Sequence, residues 1–396
     1  MRQLAIPNET KIVLAVVDGL GGLPHPDTGR SELEAADTRH LDRLAAESAC
    51  GLTVPVAPGV TPGSGPGHLA LFGYDPLRYT VGRGVLEGLG IDFDLQPQDV
   101  AARGNFCTLD GAGKIVDRRA GRIATEQSAP LCETLATIEL PGTQLFVEPV
   151  RDHRFLLVLR PESGELSDRL ADTDPQREGV APLAARALAP EAKPAAELVD
   201  RFVAGARERL NGAAANGLTL RGFARRPDLP SMPETFALRA AAVAVYPMYR
   251  GLAKLVGMTV LSTGTTYDDE LATVRERWDD FDFFFIHYKA ADTAGEDGDF
   301  QAKTAALEAF DRAVPALLDL GADVLMIAGD HSTPAALAGH SWHPVPFLLH
   351  SPWARRDSVD AFDEESCLHG ALGVFPAVDA LPIAMAHARR FTKYGA

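Results

Sequence analysis

The sequence is short of cysteine, of basic charge and of long apolar runs. Its four cysteines, Cys50, Cys107, Cys132 and Cys367, are scattered. They lack the paired spacing of a zinc site or a disulfide framework, and they read as free thiols in a reducing compartment. No uninterrupted apolar run reaches membrane-spanning length, and no apolar stretch followed by a cleavage site opens the chain. The expectation is a cytoplasmic protein with no membrane partner. Lys and Arg number 38 against 54 Asp and Glu, a formal net charge of −16. That balance disfavours nucleic acid as a partner and supports solubility. It leaves room for an anionic small molecule, because arginines can cluster locally.

What is present is ordinary globular material: 396 residues, 46% hydrophobic and 23% charged, enough for two domains with ample cores. Residues 11–17 read KIVLAVV, a nearly continuous apolar run that suits a parallel strand covered on both faces. Residues 38–49 read as a helix. From about residue 82 the texture changes to short strand-like pieces at 105–109, 115–116 and 155–159, with a hairpin signal at Asp110-Gly111-Ala112-Gly113 and a helix at 195–210. This section is rich in arginine (Arg118, Arg119, Arg122, Arg151, Arg154, Arg160) and reads as an insertion, with the proline-rich 226–233 as its return linker. The first texture then resumes with strands at 258–261, 281–286, 323–328 and 345–349, and a helix at 300–320 bent at Pro315. The expected division is a catalytic domain at 1–81 and 234–396, and an inserted domain at 82–233.

The most informative stretch is Val60-Thr61-Pro62-Gly63-Ser64-Gly65-Pro66-Gly67-His68. It puts the Ser64 hydroxyl at a predicted helix start, where backbone N–H groups attract phosphate. Ser64 could be an anion ligand, a cap, or a nucleophile, and a nucleophilic serine needs a base or a metal. Three strand candidates end in acidic residues: Asp18; then Asp292 with Glu296; then Asp330 with His331. In open α/β sheets chemistry gathers beyond the carboxyl ends of strands. Carboxylates and imidazole gathered there suit divalent metals such as Mn, Zn or Mg, and such a site would activate Ser64. Each residue also has a structural reading. Asp18 could be a turn residue, Asp330 a helix cap, and His331 a backbone hydrogen-bonding group. His68 reads as a packed residue, His340 and His343 as exposed loop histidines, and Lys289 as a solvated lysine beside Asp292. The joint pattern favours chemistry over these separate readings.

Taken in order, Val17-Asp18-Gly19, Pro62-Gly63-Ser64-Gly65, His68-Leu69-Ala70 with Gly73-Tyr74-Asp75-Pro76, Asp117-Arg118-Arg119-Ala120-Gly121-Arg122, His153-Arg154, residues 292–296, Gly329-Asp330-His331-Ser332-Thr333-Pro334 and His340-Ser341 resemble the cofactor-independent phosphoglycerate mutases. The likeness is to the shorter archaeal-type branch of that family, within the alkaline phosphatase superfamily. The resemblance implies an α/β fold: a three-layer alkaline-phosphatase-like domain with a mainly parallel sheet, carrying an inserted smaller α/β domain. It implies two divalent metals (Mn, Zn or Mg) and no 2,3-bisphosphoglycerate. Asp18, Ser64, Asp330 and His331 would hold one metal; Asp292, Glu296 and His340 would hold the other. Ser64 would carry the phosphoryl group between the hydroxyls of a small phosphorylated substrate, 3-phosphoglycerate, with Lys289 adding positive charge. Asp117, Arg118, Arg122, His153 and Arg154 would bind the rest of the substrate. A homo-oligomer is compatible with this reading. Related activities implied by the resemblance are a homoserine kinase and a phosphomonoester hydrolase. The chain departs from the family pattern in having Glu296 where a histidine is usual, and His343 where a small polar or acidic residue is more common.

Overall fold

A computed structural model describes residues 2–210 and 215–395. The chain divides into two units, one made of residues up to Thr80 and from Leu229 onward, the other of Val81–Asp228. The proline-rich stretch expected to return from the insertion is split between them. Its last residues belong to the first unit, where Ser231 caps the short helix Met232–Phe236.

The first unit is built on an eight-stranded sheet. Its order is Thr259–Val260, Ala240–Val243, Phe283–Tyr288, Ile12–Val17, Val324–Ala328, Val345–His350, Ala49–Val54, Gly373–Pro376. All of these run in one direction except Val345–His350, which is antiparallel to both neighbours. Ile12–Val17 lies between two parallel strands and is buried along its whole length, as its unbroken apolar run requires. Val13, Ala15 and Val17 form one core with Leu41, Leu44, Leu271, Val274, Leu307 and Phe310. These come from the helices Arg39–Ala45, Tyr267–Glu276 and Phe300–Asp311. On the opposite face Phe285 meets the rings of Phe72 and His68 at 4.9 and 5.5 Å, so the helix Ser64–Leu71 covers it. Helices on both faces make the unit three-layered.

Two local expectations differ from the structure. The helix expected to reach residue 49 ends at Ala45, and Ala49–Val54 is a strand. Its sequence, ACGLTV, has neither alternation nor a long apolar run. Pairing with strands on both sides fixes its conformation. The helix expected over 300–320 is two helices, Phe300–Asp311 and Val314–Leu318. Pro315 stands in the first turn of the second, where its missing N–H leaves no intrahelical bond unmade.

The second unit has a five-stranded antiparallel sheet. Val100–Leu109 pairs with Ile115–Asp117, Arg154–Pro161 and Gly217–Ala224, and Thr143–Arg151 pairs with Arg154–Pro161. The helices Thr125–Ala136 and Lys193–Arg209 pack on it through Cys132, Leu135, Leu198, Val199 and Phe202. All four cysteines are free and buried. Among the described residues, no helix is long and apolar enough to cross a membrane.

Candidate active site

The sheet topology gathers the polar residues along one edge of the first unit. Ile12–Val17, Phe283–Tyr288 and Val324–Ala328 are adjacent and parallel, with Val17 beside Tyr288 and Val16 beside Ala328. Asp18, Lys289 with Asp292, and Asp330 with His331 therefore emerge side by side. Ala49–Val54 runs the same way and leads toward Ser64. Val345–His350 runs the opposite way, so the segment that precedes it, carrying His340, starts at that same edge. Two close approaches fix the loops. Gly19 has φ +68°, and a Cβ there would lie 2.8 Å from the Asp292 Cα. Gly67 faces the Asp330 carbonyl, which a Cβ would meet at 2.1 Å. By contrast Gly63, just before the serine, has ordinary backbone angles and room for a side chain. Ser64 is the first residue of its helix.

Asp18 and Asp330 are fully buried, and each divides its oxygens between two kinds of surroundings. Asp18 Oδ2 accepts from the Tyr249 hydroxyl, lies 3.0 Å from His287 Nε2, and accepts from Lys289 Nζ at 3.0 Å. Asp18 Oδ1 has no hydrogen-bond donor. Asp330 Oδ1 accepts the Gly19 N–H at 3.1 Å. Its Oδ2 also lacks a properly aligned donor, although His68 Nδ1 and His331 Nε2 each lie 3.1 Å away. His68 instead bonds the Ser64 carbonyl at 2.9 Å. His331 Nε2 is 3.4 Å from Asp18 Oδ1 and 3.1 Å from Ser64 Oγ. Two buried carboxylate oxygens without aligned donors, converging on one imidazole nitrogen, call for positive charge between them. Asp18, Asp330 and His331 indeed form a group with ligand-capable atoms within 4.8 Å of one another. Oxygen and nitrogen donors of this kind fit a divalent ion.

A second group, Asp292, His331 and His340, meets the same distance limit. His340 Nδ1 bonds the Pro62 carbonyl at 2.9 Å, which turns Nε2 toward Asp292 Oδ1 at 3.5 Å. This is the arrangement of a metal-ligating histidine, with one ring N–H on a carbonyl and the other nitrogen free. Thr333 Oγ1 donates to Asp292 Oδ1 at 2.8 Å and lies 2.8 Å from His331 Nδ1. His331 thus has Nδ1 engaged by Thr333, and its Nε2 belongs with Asp18 and Asp330. Glu296 ends the helix Ala290–Glu296 with its side chain 56% exposed and Oε1 3.7 Å from His340 Nε2. It stands at the rim, outside the converging group.

The electrostatics follow from burial and charge. Burial pushes the His331 pKa down, but Asp330, Asp18 and Asp292 outweigh it and hold it up at about 9. The metal-free ring is therefore cationic at neutral pH, and a metal would take the place of its Nε2 proton. Burial also opposes the charged form of Lys289, yet Asp18, Tyr249 and Asp292 raise its pKa well above the usual value, so it stays an ammonium. Burial and then the Asp18 charge push the Tyr249 phenol well up, and it remains protonated.

The second unit carries a separate cationic cluster. Burial, then Arg154, Arg119, Arg103 and Arg122, push the His153 pKa down to about 4, so its ring is neutral at pH 7. Burial and Arg83 press down the pKa of Arg103, whose nearest carboxylate is Glu87 at 3.7 Å. Arg118 donates to Asp174 at 2.9 Å, and Asp174 lies 3.7 Å from Arg221. Ala120, Gly121 and Arg122 all have positive φ (47°, 67° and 52°). Asp117 holds this turn by accepting the backbone N–H groups of Arg119 at 2.7 Å and Gly121 at 2.5 Å. Crowded guanidinium groups of this kind suit carboxylate or phosphate.

A family model for 2,3-bisphosphoglycerate-independent phosphoglycerate mutase matches residues 45–216. A relative from Aquifex aeolicus, named a probable 2,3-bisphosphoglycerate-independent phosphoglycerate mutase, is 47% identical over 403 residues, covering 100% of this chain and 99% of its own. The chain belongs to that mutase family. A relative of the same name from Thermus thermophilus is 49% identical over 404 residues, covering 100% and 98%. Among solved structures, a Pyrococcus horikoshii protein superposes with a TM-score of 0.85 at 29% identity, covering 98% of this chain and 100% of its own. The cofactor-independent phosphoglycerate mutase of Thermoplasma acidophilum gives 0.69 at 30% identity, covering 96% and 100%.

Of the residues that the mutase resemblance singled out, the first unit brings together Asp18, Ser64, Lys289, Asp292, Asp330, His331 and His340, with Glu296 beside them. The second unit gathers Asp117, Arg118, Arg122, His153 and Arg154. His343 belongs to neither candidate metal group among the described residues; its Nδ1 lies 3.0 Å from Ser341 Oγ. Sequence reasoning missed Tyr249, His287 and Thr333 in the first unit, and Arg83, Arg103 and Arg221 in the second. His287 did carry a signal, since it is the one polar side chain in the buried part of the strand FFFIHY. Tyr249 carried none, because a tyrosine in an amphipathic helix reads as core.

Proposed function

We propose that this chain interconverts 3-phosphoglycerate and 2-phosphoglycerate, in glycolysis and gluconeogenesis, through a phosphoserine at Ser64. The observation that carries the reading is the position of Ser64 Oγ. It stands at a helix start and 3.1 Å from His331 Nε2, the nitrogen that converges with the two donor-free aspartate oxygens. Membership in the mutase family supports the substrate.

Asp18, Asp330 and His331 would hold one divalent ion with Ser64, and Asp292 and His340 a second, with Glu296 as a further oxygen donor. Bound there, the ions would lower the pKa of the serine hydroxyl and neutralise phosphoryl charge. The oxygen-rich donor set favours Mn or Mg over Zn. The chain's own residues do the rest. Ser64 Oγ attacks phosphorus as its proton passes to solvent, the bond from phosphorus to the substrate's C3 oxygen breaks, and that oxygen takes a proton from solvent. Glycerate then presents its C2 hydroxyl, which gives its proton to solvent and attacks the phosphoserine; the bond from phosphorus to Ser64 Oγ breaks, and Oγ takes its proton back. The helix start directs backbone N–H groups toward the phosphoryl oxygens. Lys289 keeps an ammonium between Asp18 and Asp292 and adds positive charge as phosphoryl charge shifts. In the second unit, Arg118, Arg122 and Arg154 with neutral His153 suit the carboxylate and hydroxyls of glycerate, and Asp117 sets the turn that displays Arg119 and Arg122.

The test is a 3-phosphoglycerate assay of metal-stripped protein with Mn, Mg, Co and Zn added back singly and no 2,3-bisphosphoglycerate present. Metal-dependent formation of 2-phosphoglycerate supports the reading. Release of free phosphate without isomerisation, or ATP-dependent phosphorylation of homoserine, replaces it with a hydrolase or a kinase. Ser64→Ala is expected to lose activity by several orders of magnitude and to trap no phosphoenzyme; unchanged activity removes Ser64 as nucleophile.

A further inference from the structure

Asp18 Oδ2 collects three donors while Oδ1 has none, and the three donors are themselves ordered. The helix Pro247–Leu255 brings in Tyr249, which is fully buried. Its ring stacks on His287 with centroids 3.7 Å apart and lies 4.7 Å from the ring of His68. The phenol proton goes to Asp18 Oδ2, because a carboxylate can only accept, and the phenol oxygen accepts from Lys289 Nζ at 3.0 Å. Lys289 in turn donates to Asp18 and to Asp292, which belong to different candidate metal groups.

We infer that Tyr249 is a positioning residue for the metal centre: it pins Asp18 through Oδ2 so that Oδ1 alone faces the ion, and it draws Lys289 partly off the two aspartates. The inference rests on the reading that Asp18, Asp330 and His331 hold a divalent ion. Two effects follow from removing the hydroxyl. Asp18 loses a donor that fixes its rotation, so Oδ1 is no longer held toward the ion. The Lys289 ammonium, left without the phenol oxygen, pairs more fully with Asp18 and Asp292 and competes with the metal for them. Both effects weaken binding. Partners of this kind, one bond removed from a metal, are worth about 10- to 100-fold in affinity.

The experiment titrates metal-stripped full-length protein with Mn2+ alone, and records the visible spectrum of the Co2+-loaded form. Wild type, Tyr249→Phe, His287→Phe and Asp18→Asn are compared. Tyr249→Phe keeps the ring stack, so it is expected to fold while binding Mn2+ about tenfold more weakly. Its Co2+ bands should shift as the Asp18 carboxylate turns from its held position. A loss below about fivefold, or Co2+ bands unchanged from wild type, overturns the inference while leaving the metal site intact. Should Tyr249→Phe fail to fold, His287→Phe, which keeps an aromatic ring in the stack and removes another donor from the same oxygen, carries the same expected loss and the same overturning result. Equal Mn2+ binding by wild type and Asp18→Asn overturns the site reading itself, and the inference with it.

Discussion

Glu296 and His153 show how much one side chain's surroundings decide its chemistry. Glu296 is a carboxylate at a position where the family pattern has histidine, and it stays more than half exposed at the rim of the second metal group. If it supplies an oxygen to that ion, Glu296→Ala should lower the bound metal by up to one equivalent per chain, as measured by atomic absorption after dialysis, while Glu296→His should retain it. Unchanged metal content in Glu296→Ala would remove it from the ligand set. His153 is pressed to a pKa of about 4 by burial and by surrounding arginines. Its folded pKa lies below its unfolded value near 6.5, so between about pH 4 and 6.5 the unfolded chain binds more protons. Stability from this residue is intact above pH 6.5 and declines as pH falls toward 4. An anion bound among the arginines would offset their charge and raise that pKa. In an NMR titration the His153 ring should titrate near 4 in free protein, and higher with 3-phosphoglycerate present. Titration near 6.5 without ligand would contradict the cationic cluster.

At the scale of elements, the helix Ser64–Leu71 and the loop after Val324–Ala328 are held by contact at Gly67. A methyl group there would stand 2.1 Å from the Asp330 carbonyl oxygen, a backbone atom that cannot turn aside. Gly67→Ala should therefore push the serine helix and the Asp330 loop apart. The expected cost is about 1–3 kcal/mol, as for other overpacked sites, read as a lower denaturant midpoint, together with weaker Mn2+ binding. A variant as stable and as tightly metal-binding as wild type would show that the contact does not set the helix. The buried Lys303 acts on the same edge differently. It donates to the carbonyls of Gly21 and Thr333 at 2.8 and 2.9 Å, joining the loop after Asp18 to the loop after His331. Neither contact is visible in sequence, because each joins residues far apart in the chain.

For the whole molecule, the buried carboxylates make metal and stability one question. An ion that binds only the folded chain stabilises it by about 2.7 kcal/mol at a hundredfold excess over Kd, a few degrees in Tm at this chain length. Chelation should lower Tm by that amount, and Mn2+ should restore it in a concentration-dependent way; a Tm indifferent to both would mean that no ion binds at the donor-free oxygens. Much of this architecture is legible in the chain itself. KIVLAVV, the aromatic run ending at Tyr288, and the strand before Asp330 announce buried parallel strands. Each is followed closely by a carboxylate, Asp18, Asp292 or Asp330, and the strands are legible because strand length and burial are local properties of apolar runs. The strand Ala49–Val54, which leads toward Ser64, was not legible, since its small mixed residues take their conformation from neighbours on both sides. The sequence by itself determined which residue types stand at the strand ends and that a serine opens a helix. Only the tertiary structure decided that Val345–His350 runs backwards and so brings His340 to the same edge. It also decided that Tyr249 and His287 occupy one oxygen of Asp18 and leave the other bare. Those outcomes depend on strand direction and side-chain packing across hundreds of residues, and no local pattern encodes either.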